Sequence, residues 1–217
     1  MSLQIIRQGL LDTIQDCGRQ GHRHLGIPPG GAMDIFSAVL SNALLGKGAT
    51  GPVIELHFPA ASIMFHRDTI ITLAGGDFSP AINNIPVPLH QPIVAPAGSR
   101  LTFGDHSSGA RCYLSVLQGL SCSSWLGSCA KGPGAGDAML KAGDIIEFSE
   151  EINLGAVVRK GMQVLHWGVV PPPHDLVDIE CMYGDEWNRL QQASQQQFLE
   201  SVYTISPVSD RMGYRLI

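Results

Sequence analysis

Charge is scarce in this chain: Lys, Arg, Asp and Glu supply 15% of 217 residues, and the formal net charge is −5. No basic run occurs, so a nucleic-acid surface, which needs clustered Lys and Arg against phosphates, is not expected. No apolar run approaches the roughly 18 residues of a spanning helix, and no signal peptide is read at the start. The five cysteines (Cys17, Cys112, Cys122, Cys129 and Cys181) are odd in number, scattered, and without a C-x-x-C pair. Neither a disulfide framework nor a zinc site is therefore expected, and a reducing cytoplasm fits best. A phosphate-binding loop of the Gly-x-x-x-x-Gly-Lys-Ser/Thr type is missing; Leu45-Gly-Lys-Gly-Ala-Thr50 has its letters at the wrong spacing. Ser128, in Leu126-Gly-Ser-Cys129, does not sit in a nucleophile elbow. Cys129 is a possible thiol, but no local group lowers its pKa.

What is plentiful is punctuation. Gly 25 and Pro 14 favour short strands and many turns, and 44% hydrophobic residues suffice for a core. The length suits one large or two small domains. Residues 3–7 read as a strand. Asp34 is placed to N-cap a helix over 35–45, with Ile35, Val39 and Ala43 plus Phe36, Leu40 and Leu44 as a broad apolar face. Short strands follow at 53–58, 62–65, 69–74, 85–87, 93–95, 99–103, 112–117 and 144–148, the spacing of a sandwich or barrel. Asn83-Asn84 reads as a hairpin tip, Gly75-Gly76-Asp77 as a turn rather than an anion site, and 119–143 as an exposed Gly- and Ser-rich loop. The expected organisation is a β-rich domain at 1–167, a Pro-rich linker at 168–176 and the start of a second β domain at 177–217. Within the last, strands are expected at 177–183 and 202–205 and a helix over 184–198. These 41 residues are too few for an independent core.

The densest polar segment is Gly9 to Asp34. Gly18, Gly21, Gly26, Gly30 and Gly31 permit close backbone approach, Pro28 and Pro29 stiffen it, and Asp12, Asp16, Arg19 and Asp34 sit among them. It reads either as a binding surface or as a loop whose side chains cap turns. His22 and His24 could share a metal, but no third ligand is placed. Glu55 lies inside an apolar strand and, if buried, must be paired or have a raised pKa, in a structural pair or in proton transfer. Near the end, Ser209-Asp-Arg-Met-Gly-Tyr-Arg215 carries two guanidinium groups, which grip carboxylate or phosphate.

Taken in order, Gly9-Leu-Leu-Asp-Thr-Ile-Gln-Asp-Cys-Gly-Arg19, Gly26-Ile-Pro-Pro-Gly-Gly-Ala-Met-Asp34, Pro52-Val-Ile-Glu55, Tyr113-Leu-Ser-Val116, Leu126-Gly-Ser128 and Ser209-Asp-Arg-Met-Gly-Tyr-Arg-Leu216 resemble the biotin-dependent carboxyltransferase-like family. That family includes allophanate hydrolase subunit 2, the C subunit of 5-oxoprolinase and an antagonist of a sporulation-kinase inhibitor. The resemblance implies a mainly β architecture with cyclophilin-like barrels and one or two short helices. It also implies a homologous partner, of the type of the 5-oxoprolinase B subunit or allophanate hydrolase subunit 1. The implied activity is ATP-dependent opening of 5-oxoproline to glutamate, with ATP and Mg in the assembled complex. The alternatives are half of a carboxyltransferase fed with carboxybiotin from another domain, or a regulatory protein without catalysis.

Asp12, Asp16, Asp34 and Glu55 are the acidic candidates for catalysis. Arg19, Gly30, Gly31, Ser209, Asp210, Arg211 and Arg215 are the candidates for holding substrate or phosphate. Family members continue past the last motif into a second barrel, so that barrel is expected to be incomplete here. Gln118-Gly119 replaces a usual Gly-Gly pair, and Gly136-Asp137 stands where an Arg is usual. No biotinyl-lysine motif occurs. The Gly9–Asp34 segment is expected to face Ser209–Arg215 across a cleft.

Overall fold

A computed structural model of the chain describes residues 2–130, 139–158, 161–170, 181–209 and 213–217. It divides into two compact units, 1–171 and 172–217.

The first unit is built from antiparallel strands. They are β1 (Ser2–Arg7), β2 (Thr13–Gln15), β3 (Val53–Leu56), β4 (Ser62–Phe65), β5 (Thr69–Asp77), β6 (Pro80–Ile82), β7 (Ile85–Pro86), β8 (Ile93–Ala95), β9 (Arg100–Phe103), β10 (Ser108–Val116), β11 (Ile145–Glu147) and β12 (Gln163–Val164). Two six-stranded sheets result, ordered β11-β1-β4-β9-β6-β7 and β12-β8-β5-β10-β3-β2. Alternation makes each a wall of one core: Leu3 and Ile5 of β1, Ile63 and Phe65 of β4 and Leu101 of β9 meet Ile54, Leu56, Ile71, Leu73 and Leu114 of the second sheet. The mainly β expectation holds, and most strands fall within two residues of the expected bounds. The exceptions are β5 and β10, each longer by three residues or more at one end, β2, which lies in the stretch read as turn-rich, and β6 and β12, where no strand was expected.

Asn83 and Asn84, at φ 52° and 66°, turn β6 into β7 as expected of a two-residue hairpin. Gly75-Gly76-Asp77 is not a turn. It continues β5, whose pairing with β10 slips between Ser108 and Cys112, a bulge. The slip brings Gly76 and Gly109 so close that a Cβ on Gly109 would lie 2.6 Å from Gly76 Cα.

Helix α1 (Ile35–Ala43) starts where expected, with Asp34 accepting from Ser37 N at 3.0 Å. Its face is reversed, however. Ser37, Ala38, Ser41 and Asn42 are buried, whereas Ile35 is 52% and Phe36 59% exposed, Val39 and Leu40 are half-buried, and of the expected apolar face only Leu44, at the C-cap, is buried. The cause is a polar seam on the sheet beneath. Thr72 Oγ1 donates to Ser41 O (2.6 Å), Ser115 Oγ to Asn42 Oδ1 (2.6 Å) and Lys47 Nζ to Val116 O (2.7 Å). Burial pushes the Lys47 ammonium down to about 8. Directional bonds to β5 and β10 outweigh the apolar stripe, since buried polar groups left unpaired are costly. A short helix α2 (Gly155–Val158) follows β11.

In the second unit a 3-10 turn (Trp187–Arg189) and helix α3 (Gln192–Glu200) replace the continuous helix expected over 184–198; Leu190 takes an extended conformation between them. The strand expected at 202–205 is reduced to one bridge, Ile205 to Leu216. Of the strand expected at 177–183, residues 177–180 lie outside the described residues and Cys181–Tyr183 are not in a strand. α3 buries no residue, and Tyr183, Trp187, Phe198 and Tyr203 form a chain of ring contacts.

Candidate functional site

The opening polar stretch is a clasp of two backbone segments. Arg19 N donates to Pro29 O (2.8 Å) and Ala32 N to Asp16 O (2.7 Å), so Asp16–Arg19 lies along Pro29–Ala32. Contact at this range needs glycine on both sides. A Cβ on Gly18 would meet Gly30 O at 2.7 Å, and one on Gly31 would meet Gly18 N at 2.8 Å. Both have positive φ, 78° and 93°.

The clasp carries a second loop. Asp16 Oδ1 accepts from Gly18 N (2.7 Å) and Ser128 Oγ (2.6 Å), and Oδ2 from Cys129 N (2.6 Å). Arg19 is 3% exposed; Nη2 donates to Ala130 O, and its guanidinium lies 4.9 Å from the centre of the Trp125 ring. Residues 119–143 are thus not simply an exposed loop: Leu120, Ser128, Ala130 and Leu140 are buried. Gly132–Gly136 and Asp137 lie outside the described residues. Nor are all five cysteines free. Cys122 and Cys129 form a disulfide, which corrects both the expectation of none and the reading of Cys129 as a thiol. Spacing alone did not reveal it, because Leu126 (φ 51°) and Gly127 (φ 77°) reverse the chain between the two.

The remaining acidic candidates hold backbone. Glu55 Oε2 accepts from Met33 N (2.7 Å) and Tyr113 Oη (2.8 Å), and Tyr113 Oη accepts from Asp34 N (2.7 Å). This network ties the start of α1 to β3 and β10. Burial, then the Glu55 charge, pushes the Tyr113 phenol far up, so it stays a donor. Asp12 is fully buried; its oxygens accept from His57 N (2.7 Å) and Ala61 N (2.6 Å), bracing the loop between β3 and β4. Desolvation raises its carboxyl to about 6 against the pull of those donors.

Asp16, Arg19, Gly30 and Gly31 thus meet in one place, and Asp34 and Glu55 join it through Ala32 and Met33. Asp12 lies apart, toward the loop after β3. In the second unit, Arg215 N donates to Ser209 Oγ (2.9 Å) with Arg215 exposed, and Asp210 and Arg211 fall outside the described residues. Trp125, Ser128, Ala130 and Tyr113 were not among the site candidates. Ser128 and Tyr113 stood in quoted motifs, whereas nothing local marks Trp125 or Ala130. His22 and His24 flank and enter a 3-10 turn, and among the described residues no three His, Cys, Asp or Glu side chains converge as for a metal.

Chemically, the notable group is Arg19. Its Nε is buried without a hydrogen-bond partner, and no carboxylate of the described residues pairs with it. A Cβ on Gly30 would sit 3.1 Å from Nη1, so the glycine leaves room beside the guanidinium. A buried guanidinium with an unpartnered N–H suits a phosphate or carboxylate.

Comparison with known proteins places this arrangement in a family. The model of the carboxyltransferase domain, subdomain A and B, matches residues 25–217. The chain is 31% identical to the C subunit of 5-oxoprolinase from Escherichia coli over 99% of its own length and 68% of that protein's. It is 28% identical to the urea amidolyase of Saccharomyces cerevisiae over all of its length but only 12% of that protein's. The crystal structure of TTHA0988 superposes with a TM-score of 0.83 at 25% identity, covering all of this chain and 42% of that one. The chain belongs to the family of the carboxyltransferase domain, subdomain A and B.

Proposed function

We propose that this chain acts as the C subunit of an ATP-dependent 5-oxoprolinase, in a cytoplasmic complex with a homologous carboxyltransferase-like protein. The carrying observation is the 31% identity to a 5-oxoprolinase C subunit across 99% of the chain. The reaction would convert 5-oxoproline, ATP and water into glutamate, ADP and phosphate. ATP, with Mg, would supply the phosphoryl group that activates the lactam oxygen. Arg19, beside Gly30, suits an anionic oxygen, and an arginine in a desolvated place stabilises developing charge strongly. Ser209 and Arg215, with Asp210 and Arg211, are the second candidate contact. Because Asp12, Asp16, Asp34 and Glu55 each accept from backbone N–H groups, we assign them to positioning.

A second reading rests on the match to urea amidolyase over the full chain: half of a carboxyltransferase that receives carboxybiotin from elsewhere. Copurification with the homologous partner, followed by an assay of ATP-dependent glutamate release from 5-oxoproline, tests the first reading. Glutamate release by the complex, and none by the chain alone, is the expected result. Carboxyl transfer to urea without oxoprolinase activity would overturn it in favour of the second.

A further inference from the structure

The disulfide between Cys122 and Cys129 closes a ring that contains Trp125, Ser128 and Cys129, and Ala130 follows it directly. Trp125 faces the Arg19 guanidinium, Ser128 Oγ and Cys129 N donate to Asp16, and Ala130 O accepts from Arg19. Within the segment, Trp125 and Ser128 exchange backbone hydrogen bonds (2.9 and 3.2 Å), a single tight turn. Residues 123–127 are exposed and both cysteines are half-buried, so a small thiol can reach the sulfurs. Two of the other three cysteines differ: Cys112 is fully buried with its thiol pushed up by desolvation, and Cys17 is pushed up by burial and the Asp16 charge; Cys181, in the second unit, is exposed. Thiolate formation, which exchange requires, is disfavoured at Cys112 and Cys17.

We propose that Cys122 and Cys129 are a reversible dithiol–disulfide site that sets whether the Trp125–Ala130 loop is held on Asp16 and Arg19. Oxidised, the ring restricts the loop to conformations close to the bound one. Reduced, the same contacts must order a longer open segment, and Trp125 leaves the guanidinium more readily.

The chemistry balances with a dithiol reductant. Its thiolate attacks one sulfur, the Cys122–Cys129 bond breaks, and a mixed disulfide forms. The reductant's second thiol resolves that intermediate, leaving two cysteine thiols and the oxidised reductant; two electrons and two protons have moved. A low-molecular-weight disulfide reverses the process. In a reducing compartment a pair accessible to thiols is expected to cycle rather than stay closed.

Hydrogen exchange on the full chain, read by mass spectrometry or NMR with no activity measurement, tests this separately from the proposed reaction. The amides of Gly18 and Cys129 both donate to Asp16. On dithiothreitol reduction their exchange is expected to quicken by about ten- to a hundredfold, the scale of the closure entropy of a short ring. Amides of β5 and β10 serve as internal controls and should not change. The Cys122→Ser, Cys129→Ser double variant should exchange fast with or without dithiothreitol. Under glutathione disulfide, wild-type digests should yield a peptide linked through Cys122 and Cys129. Absence of that peptide, equal Gly18 and Cys129 exchange in both states, or acceleration across β5 and β10 would each overturn the proposal. The last would mean global loosening rather than release of a loop.

Discussion

The two motif-rich ends of this chain are alike in letters and opposite in physics. Both combine Asp, Arg and Gly. At the front, Asp12, Asp16 and Arg19 are buried and bonded to backbone. At the back, Arg215 is exposed, and the bonds described there join its backbone to Ser206 and Ser209. Charged residues in a motif can therefore build a site or face one, and burial separates the two roles. A substitution at the front should first cost stability; one at the back should first cost binding.

The largest test of that division is Gly31→Ala. Its methyl would press on the Gly18 backbone at a φ of 93°, and a loss of about 2–4 kcal/mol is expected, from overlap plus left-handed strain. Chemical denaturation reads it; an unchanged midpoint would mean that the clasp is loose.

Next comes Asp12. Its folded pKa of about 6 lies above the ordinary 3.8, so the folded state binds the extra proton between those values. Its contribution to stability is full below about pH 4 and is lost as pH rises through 6. The stability difference between wild type and Asp12→Asn should shift by roughly 2–3 kcal/mol against wild type from pH 4 to 7. A shift of the other sign would show that the His57 and Ala61 donors outweigh desolvation. Asp16→Ala strips acceptors from three donors and should cost about 1–3 kcal/mol, with faster proteolysis near Ser128. Trp125→Ala removes a half-exposed ring from Arg19, worth about 0.5–1 kcal/mol in thermal denaturation.

Smallest in stability is Arg215→Ala, within about 0.5 kcal/mol. If the back end faces the substrate, this variant should nonetheless lose at least tenfold in kcat/KM in the assembled complex. Retained activity would remove Arg215 from the site, and a stability loss like that of Asp16→Ala would erase the contrast between the ends.

The strands were legible because period-two burial and Gly, Pro and Asn punctuation act locally. Ile93–Ala95 and the Asn83-Asn84 turn needed no knowledge of the rest of the chain. The clasp was legible as stiff and polar, but its partner loop was not, because Asp16 and Ser128 are joined across 112 positions. The same distance problem hid the buried setting of Arg19. α1 misled for another reason. Its apolar stripe is real, but the floor of Thr72, Ser115 and the Val116 carbonyl rewards hydroxyl and amide groups. A moment computed from one helix cannot know what it lies on. Among the described residues of the second unit few are buried, so periodicity had little packing to report.

The reversal of α1 has a consequence for how this protein tolerates change. Packing of greasy side chains permits sliding and size swaps, but hydroxyl and amide pairings accept one angle and one length. Tolerance along the helix should therefore run backwards from the usual rule. Ser41 and Asn42, inside, should refuse leucine, whereas Ile35 and Phe36, outside, should accept lysine. A saturation library selected for folded protein would read α1 as a helix turned inside out.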